Sequence, residues 1–431
     1  MSMENNENEC LQASSKEDAS AMLNKKAYRK GLFIGIGGTL LIMLVICTVI
    51  ITITCYAKIM RRAKTASSDI KSVDTIVDKS VEEKVGVLED TINEYYLEDV
   101  QSATLEEGMY RGILESLEDP YSVYYTAQEL QELQQETQGI YYGVGAYVSM
   151  DLTTGYAQFS KIMKDTPAEE SGLMAGDYIY MVNDEDMHGQ ELSYVVSKIK
   201  GEEGTKVKLT LLREGASQPL EVEVERRKVE SPTVNLEMYD NQVAYIQITE
   251  FDTVTESQFK KAYQDAQDQG MKGLIIDLRS NPGGNLTTVV DIARQLLPKG
   301  LIVYTEDKYG ERVEYSCDGT HQIEVPLVVL VNGYSASASE ILSGAIKDYG
   351  IGTLIGTTTY GKGIVQKVIS LSDGSAVKLT VSKYFTPNGN NIHKIGIEPD
   401  IEVEFDAERY QKDQYDNQLE EARKVIAEKL K

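Results

Sequence analysis

Histidine and cysteine are both scarce in this chain. Only His188, His321 and His393 occur in 431 residues, none beside another histidine or a CxxC pair, so zinc chemistry has no ligand set and no metal or cofactor is expected. The four cysteines exclude a disulfide framework, because Cys10, Cys47 and Cys55 fall in or before an apolar run and Cys317 stands alone. Basic charge is short as well: 43 Lys and Arg face 68 Asp and Glu, a net charge of −25. Nucleic acid is thereby excluded as a partner, since phosphate contacts need a basic face. Internal repeats and low-complexity tracts are absent. What is present, 42% hydrophobic and 26% charged residues, is ordinary globular material for two or three domains.

Charge is missing altogether from residues 31–57, a run of 27 positions. At about 1.5 Å per residue such a helix exceeds the roughly 30 Å hydrocarbon core. Tyr28 and Tyr56 flank the run, where amphipathic rings favour the headgroup layer. A cleaved signal peptide would have a shorter apolar stretch and a small-x-small site. The run reads as an uncleaved single-span anchor to a membrane. Lys25, Lys26, Arg29 and Lys30 lie close before it and Lys58, Arg61, Arg62 and Lys64 close after, so charge does not orient it. Residues 1–30 carry five acids and five bases without apolar periodicity and read as a short tail.

Beyond the span, Val85, Leu88 and Ile92, then Leu105, Met109, Ile113 and Leu117, recur at helical spacing, so 58–138 reads as a linker and helical region. Thr126 with Glu129 spells a capping box. From Gly139 the period becomes two, with strands expected at 147–159, 178–182, 206–212 and 220–224 and helices at 168–172 and 191–200. Residues 139–229 thus form a small β-rich module. After Ser231-Pro232, residues 230–405 alternate: β-branched runs at 242–248, 273–278, 326–331 and 352–356, with helices at 255–269, 286–297 and 337–349. Residues 406–431 are charged and helical.

The most chemical stretch is Asn332-Gly333-Tyr334-Ser335-Ala336-Ser337-Ala338-Ser339-Glu340, which joins a buried strand to a helix. Its plain reading is structural, because Ser337 and Glu340 also fit a Ser-x-x-Glu capping box. A serine nucleophile needs a base, and neither a histidine motif nor the GxSxG elbow is present. Lys362 could serve if burial lowers its pKa, though a lone lysine ordinarily sits in solvent. Gly356 to Lys362 spells most of a phosphate loop, but Gly363 replaces the magnesium ligand and a strand follows instead of a helix. The nucleotide reading fails. Asn281-Pro282-Gly283-Gly284 could aim backbone N–H groups at an oxyanion, or be a tight turn only. Tyr142-Gly143-Val144-Gly145-Ala146 could present N–H groups to a carboxylate.

In their order along residues 85–405, these segments resemble the carboxy-terminal processing, or tail-specific, serine proteases. The resemblance also takes in Ser116-Leu117-Glu118-Asp119-Pro120-Tyr121-Ser122, Asp277-Leu278-Arg279-Ser280, Tyr360-Gly361-Lys362-Gly363-Ile364-Val365-Gln366 and Gly396-Ile397-Glu398-Pro399-Asp400. It implies a crotonase-like α/β peptidase core with an inserted PDZ domain at 139–229. It also implies Ser337 as nucleophile, Lys362 as general base 25 residues later, and Gln366 steadying the lysine. Asp348 becomes a supporting residue, and the N–H groups of Ala338, Gly283 and Gly284 become oxyanion donors. Tyr142, Gly143, Val144, Gly145 and Ala146 become the peptide-binding loop. The resemblance further implies protein or peptide substrates with free apolar C-termini, a homodimer, and a catalytic domain outside the cell membrane. One departure is Lys200 before Gly201, where relatives often carry arginine. The alternative is a non-catalytic PDZ binding protein on a degenerate core, against which Ser337, Lys362 and Gln366 all stand. A His-dependent PDZ protease would need a histidine before the module, and none precedes His188.

Overall fold

The computed structural model describes residues 76–431, which belong to two compact units, residues 1–99 and 100–431. In the first, Asp78 caps the helix Lys79–Tyr95 by accepting from the Val81 N–H at 3.0 Å. The expected tail and apolar span lie outside the described residues. Among those described, no helix is long and apolar enough to cross a membrane.

The second unit opens with the helix Ser102–Glu115 and the helix Ala127–Gln138. The capping box forms as read: Glu129 N–H donates to Thr126 Oγ1 at 3.2 Å, and Thr126 N–H to Glu129 Oε2 at 2.9 Å. Between the two helices the all-helical expectation is corrected by a short strand, Val123–Tyr125. It pairs antiparallel with Ala376–Lys378, a partner too distant in sequence for any local pattern to announce.

Residues 140–230 form the β-rich module. Ala146–Asp151, Tyr156–Ile162, Tyr178–Val182, Lys206–Leu212 and Leu220–Glu225 make one antiparallel sheet around buried Phe159, Ile179, Leu209 and Leu211. The run expected as a strand at 147–159 is instead a hairpin, turned at Thr153–Gly155, where Gly155 adopts φ +72°. The helix Leu192–Ile199 lies against the first strand. At the neck, Ile140–Gly143 and Arg227–Glu230 pair antiparallel, so the chain enters and leaves side by side.

The peptidase-sized remainder holds two sheets. One runs Val234–Met238, Val243–Ile248, Gly273–Asp277, Leu327–Val331, Gly352–Gly356, Ile401–Glu402, parallel after the first pair. The strands Gly273–Asp277 and Leu327–Val331 are buried at every position because both faces are covered. Leu274, Ile276, Leu327, Val329 and Leu354 face the helices Thr255–Asp268, Leu286–Ala293 and Ala338–Tyr349. Ile275, Val328, Leu330 and Ile355 face Ala422 and Ile426 of the helix Asn417–Lys429. Period-two alternation of the strand assigns each side chain its face. The helix expected at 286–297 ends at Ala293. The second sheet contains Ala376–Phe385, Gly300–Asp307, Arg312–Cys317 and Ile364–Ser370, and it carries the chain just after Lys362.

Candidate active site

The fully buried strand Leu327–Val331 ends in the loop Asn332–Ala336, and Ser337 stands at the start of a helix whose first nine residues are buried. Ser337 has φ +53° and ψ −111°, which an L residue adopts only at a cost of about 1–3 kcal/mol. Its backbone is held from three sides. The N–H donates to Glu340 Oε2 at 2.8 Å, and the carbonyl accepts from Tyr384 Oη at 3.1 Å and from Ile341 N–H at 3.0 Å.

The three serines of the run differ in what their hydroxyls do. Ser335 is buried and donates to Leu278 O at 2.7 Å. Ser339 is buried and donates to Asn281 O at 3.0 Å. Both fasten the loop that follows the strand Gly273–Asp277 to the helix start. Ser337 alone of the three is partly open to solvent.

Glu340 is more than a cap. It is fully buried, and its carboxylate accepts four bonds: Thr359 Oγ1 at 2.6 Å and Gly361 N–H at 2.7 Å on Oε1, Ser337 N–H at 2.8 Å and Lys362 N–H at 2.9 Å on Oε2. A buried carboxylate is tolerable only when so compensated. One oxygen therefore binds the backbones of both Ser337 and Lys362. Read locally, Glu340 was only the last letter of a capping box, because the Thr359–Lys362 donors come from a separate loop.

Lys362 is half-buried. Burial and then the nearby Lys378 hold its pKa below the ordinary lysine value, while Asp119 and Glu340 pull the other way. Its ammonium lies over the Tyr121 ring, 4.4 Å from the centroid, rather than in a hydrogen bond with the Ser337 hydroxyl. Tyr121 belongs to the Asp119-Pro120 motif, where sequence alone assigns it no role; its hydroxyl lies 3.4 Å from that of Tyr360. Tyr121, Tyr360, Tyr334, Pro282, Ala336 and Lys362 line an open cavity of about 550 Å³.

Gln366 lies on the strand Ile364–Ser370 and donates to Thr380 Oγ1 at 3.2 Å, with no bond to Lys362. Asp348 accepts from Asn388 N–H at 2.8 Å. Eleven residues along the helix, about 16 Å from Ser337, it pins a turn. Gly283 and Gly284 adopt φ +107° and +140°; a Cβ on Gly283 would lie 2.7 Å from Ser337 Cβ and 3.0 Å from Ala338 N, whereas one on Gly284 would meet the Phe251 backbone instead. The Gly283 N–H, however, already donates to Asn281 Oδ1 at 2.8 Å. Ala338 N–H, at the first helical position, has no intrahelical acceptor and faces this turn.

Ahead of the turn, Asp277 and Arg279 form a buried network that residue spacing did not assign. Arg279 donates to Asp277 Oδ2 at 2.6 Å, to Asp416 Oδ1 at 3.0 Å and to Gln418 Oε1 at 3.0 Å, and Tyr245 Oη donates to Asp277 Oδ2 at 2.7 Å. The visible signal was a charged pair at the end of an apolar strand.

A second cavity of about 320 Å³ opens at the module. Gly143, Val144, Gly145 and Ala146 line it as the loop reading requires, but Tyr142 does not; its neighbour Tyr141 does. Strand alternation sends successive side chains to opposite faces, which accounts for the exchange. Gly145 has φ +86°, and a Cβ there would strike Thr166 at 2.3 Å.

Comparison with known proteins gives one consistent answer. Residues 242–403 match the model of peptidase family S41, residues 34–129 that of the activating protease CtpB N-terminal domain, and residues 158–213 a PDZ domain. The carboxy-terminal processing protease CtpB of Bacillus subtilis is 36% identical over 334 residues, 77% of this chain and 69% of that protein. A carboxyl-terminal-processing protease of Synechocystis is 36% identical over 296 residues, 68% of this chain and 69% of that one. Among solved structures, the photosystem II D1 C-terminal processing protease is 32% identical with a TM-score of 0.44, covering 76% of this chain and 89% of its own.

Proposed function

The chain belongs to peptidase family S41, among the carboxy-terminal processing serine proteases with a PDZ domain, and on that premise we propose that it cuts protein tails with a Ser337–Lys362 dyad. The observation that carries the reading is the Glu340 carboxylate, one oxygen of which binds the backbone N–H groups of both residues.

In the proposed reaction neutral Lys362 leaves the Tyr121 ring and accepts the Ser337 proton as Oγ attacks the scissile carbonyl. The tetrahedral oxyanion is met by Ala338 N–H. Gly284 completes the hole, and Gly283 joins it only if its N–H gives up Asn281. Collapse breaks the C–N bond, with the lysine returning its proton to the leaving amine. Water, deprotonated by the same lysine, then hydrolyses the acyl-enzyme and restores the serine. Gln366 steadies the lysine in that active arrangement, and Asp348 supports the fold behind it.

The core is read as crotonase-like, and residues 31–57 as a single-pass anchor with the catalytic part outside the cytoplasm. The enzyme pairs as a homodimer. The PDZ domain takes the substrate's free apolar C-terminus: the tail adds as a strand beside Ala146–Ser149, and its last carboxylate sits at the Gly143–Ala146 loop. A bound tail raises the cleavage rate. The direct test is an acylating active-site probe with intact-mass detection. It should label the wild-type protein once and leave Ser337→Ala unlabelled; labelling of Ser337→Ala at the wild-type rate would refute the dyad.

A further inference from the structure

The tail cavity is not built by the PDZ domain alone. Val144 to Val148, Val196, Ile199 and Lys200 wall one side, while Thr233, Thr249 and Glu250 of the peptidase core wall the other. Thr249 and Glu250 follow directly on the core strand Val243–Ile248. The next residue, Phe251, is fully buried and bonded into the glycine turn. Its N–H donates to Gly283 O at 2.9 Å, and its carbonyl accepts from Asn285 N–H at 2.7 Å. The fit is close enough that a Cβ on Gly284 would lie 2.4 Å from Phe251 O. The same turn abuts Ser337 on its other side. One peptide bond thus separates the cavity wall from the segment that holds the turn behind the nucleophile.

A tail brings a carboxylate into this cavity. Glu250 on the core wall is a like charge, with the carboxylates of Glu136 and Asp252 near it, and Lys200 is the cation on the module's wall. Carboxylates sharing a partly dry site repel one another, so occupation favours whichever arrangement moves Glu250 away. Interfaces and packed turns answer such a push by switching between discrete arrangements. Phe251 cannot follow Glu250 without disturbing its two backbone bonds to the turn.

We propose that Glu250 is the positioning residue through which a bound C-terminal tail acts on the active site, its displacement being carried by Phe251 to the Gly283-Gly284 turn beside Ser337 and Ala338. The inference rests on the reading that the PDZ domain captures tails. Glu250 touches no reacting atom, and its exposure makes substitution compatible with folding.

The test uses the whole chain, a fluorogenic peptide with a blocked C-terminus as substrate, and a short uncleavable peptide with a free apolar C-terminus as effector. Rates are expressed as fold increase over each protein's own unstimulated rate, and effector affinity is read by fluorescence anisotropy. The wild-type protein should bind the effector and accelerate. Glu250→Gln should bind it several-fold more tightly, because the like charge is gone, yet accelerate far less, and Glu250→Asp should recover part of the response. By linkage, acylating Ser337 should tighten effector binding in the wild type and much less in Glu250→Gln. Failure of the wild-type protein to bind the effector overturns tail capture, and binding without acceleration overturns the gate; the inference falls with either. Acceleration of Glu250→Gln equal to that of the wild type overturns the inference alone.

Discussion

The PDZ domain and the peptidase core solve opposite problems with strands. In the core, Leu327–Val331 is buried at all five positions and delivers Ser337 from a sheet covered on both faces. In the PDZ domain, Leu220–Glu225 exposes Glu221, Glu223 and Glu225, and one face of the sheet stays wet. The core fixes a strained serine by surrounding it. The PDZ domain leaves a strand edge and an apolar pocket open for a partner. The proposed function thus puts chemistry where nothing can move cheaply, and capture where something can.

Breaking the core side should have the larger consequences. Ser337→Ala should lower peptide cleavage by orders of magnitude while circular dichroism and Tm stay near wild type, since the proposed mechanism makes its hydroxyl the nucleophile. Lys362→Arg should be as inactive, because guanidinium keeps its proton. In the wild type, kcat/KM should rise with pH through the lowered Lys362 pKa, as the neutral amine is the active form. A flat profile across that range would remove the lysine as base.

Glu340→Gln should come next. It keeps the shape but turns one oxygen into a donor facing donors, so a turnover loss of at least tenfold and a destabilisation of about 2–4 kcal/mol are expected by kinetics and urea unfolding. Ser335→Ala should separate stability from chemistry: losing the bond to Leu278 O should cost about 1–3 kcal/mol while measurable cleavage persists. An inactive but stable Ser335→Ala would move the nucleophile.

The smallest effect lies at the seam between the two regions. Burial, then Glu250 and Glu136, push Asp252 up to about 7, well above the ordinary carboxylate range. The folded state thus holds the Asp252 proton more tightly than the unfolded chain does. Its stabilising contribution is complete below about pH 4 and is lost as pH rises through 7. Asp252→Asn should accordingly raise Tm at pH 8 and leave it almost unchanged at pH 4, read across that range.

What the sequence made legible follows the same division. Strands buried on both faces are continuous β-branched runs, and Gly352–Gly356 was bounded to the residue. Tyr178–Val182 and Lys206–Leu212 were equally plain, closed by Asn, Gly and Glu turns. Gly300–Asp307, Arg312–Cys317 and Ala376–Phe385 were missed: they form two hairpins, the first two with each other and the third with Ile364–Ser370, and only the pairing of Gly300–Asp307 with Ala376–Phe385, far along the chain, joins them into one sheet. The site was harder. Spacing offered Ser337 as a cap and Lys362 as a solvent lysine, and only family resemblance paired them. The four-donor role of Glu340 was invisible, since three of its donors arrive from residues 19–22 positions later.

The paired neck of the PDZ domain has an evolutionary consequence. Ser231 N–H donates to Gly139 O at 2.8 Å, so the two ends of a ninety-residue insertion are already hydrogen-bonded neighbours. Joining them across the gap needs little more than a tight turn, and the peptidase sheets would close without rearrangement. The whole recognition domain is thereby a cassette: it can be lost, exchanged or lengthened by recombination at one point, while the surface it leaves on Thr249 and Glu250 stays ready for whatever module is inserted next.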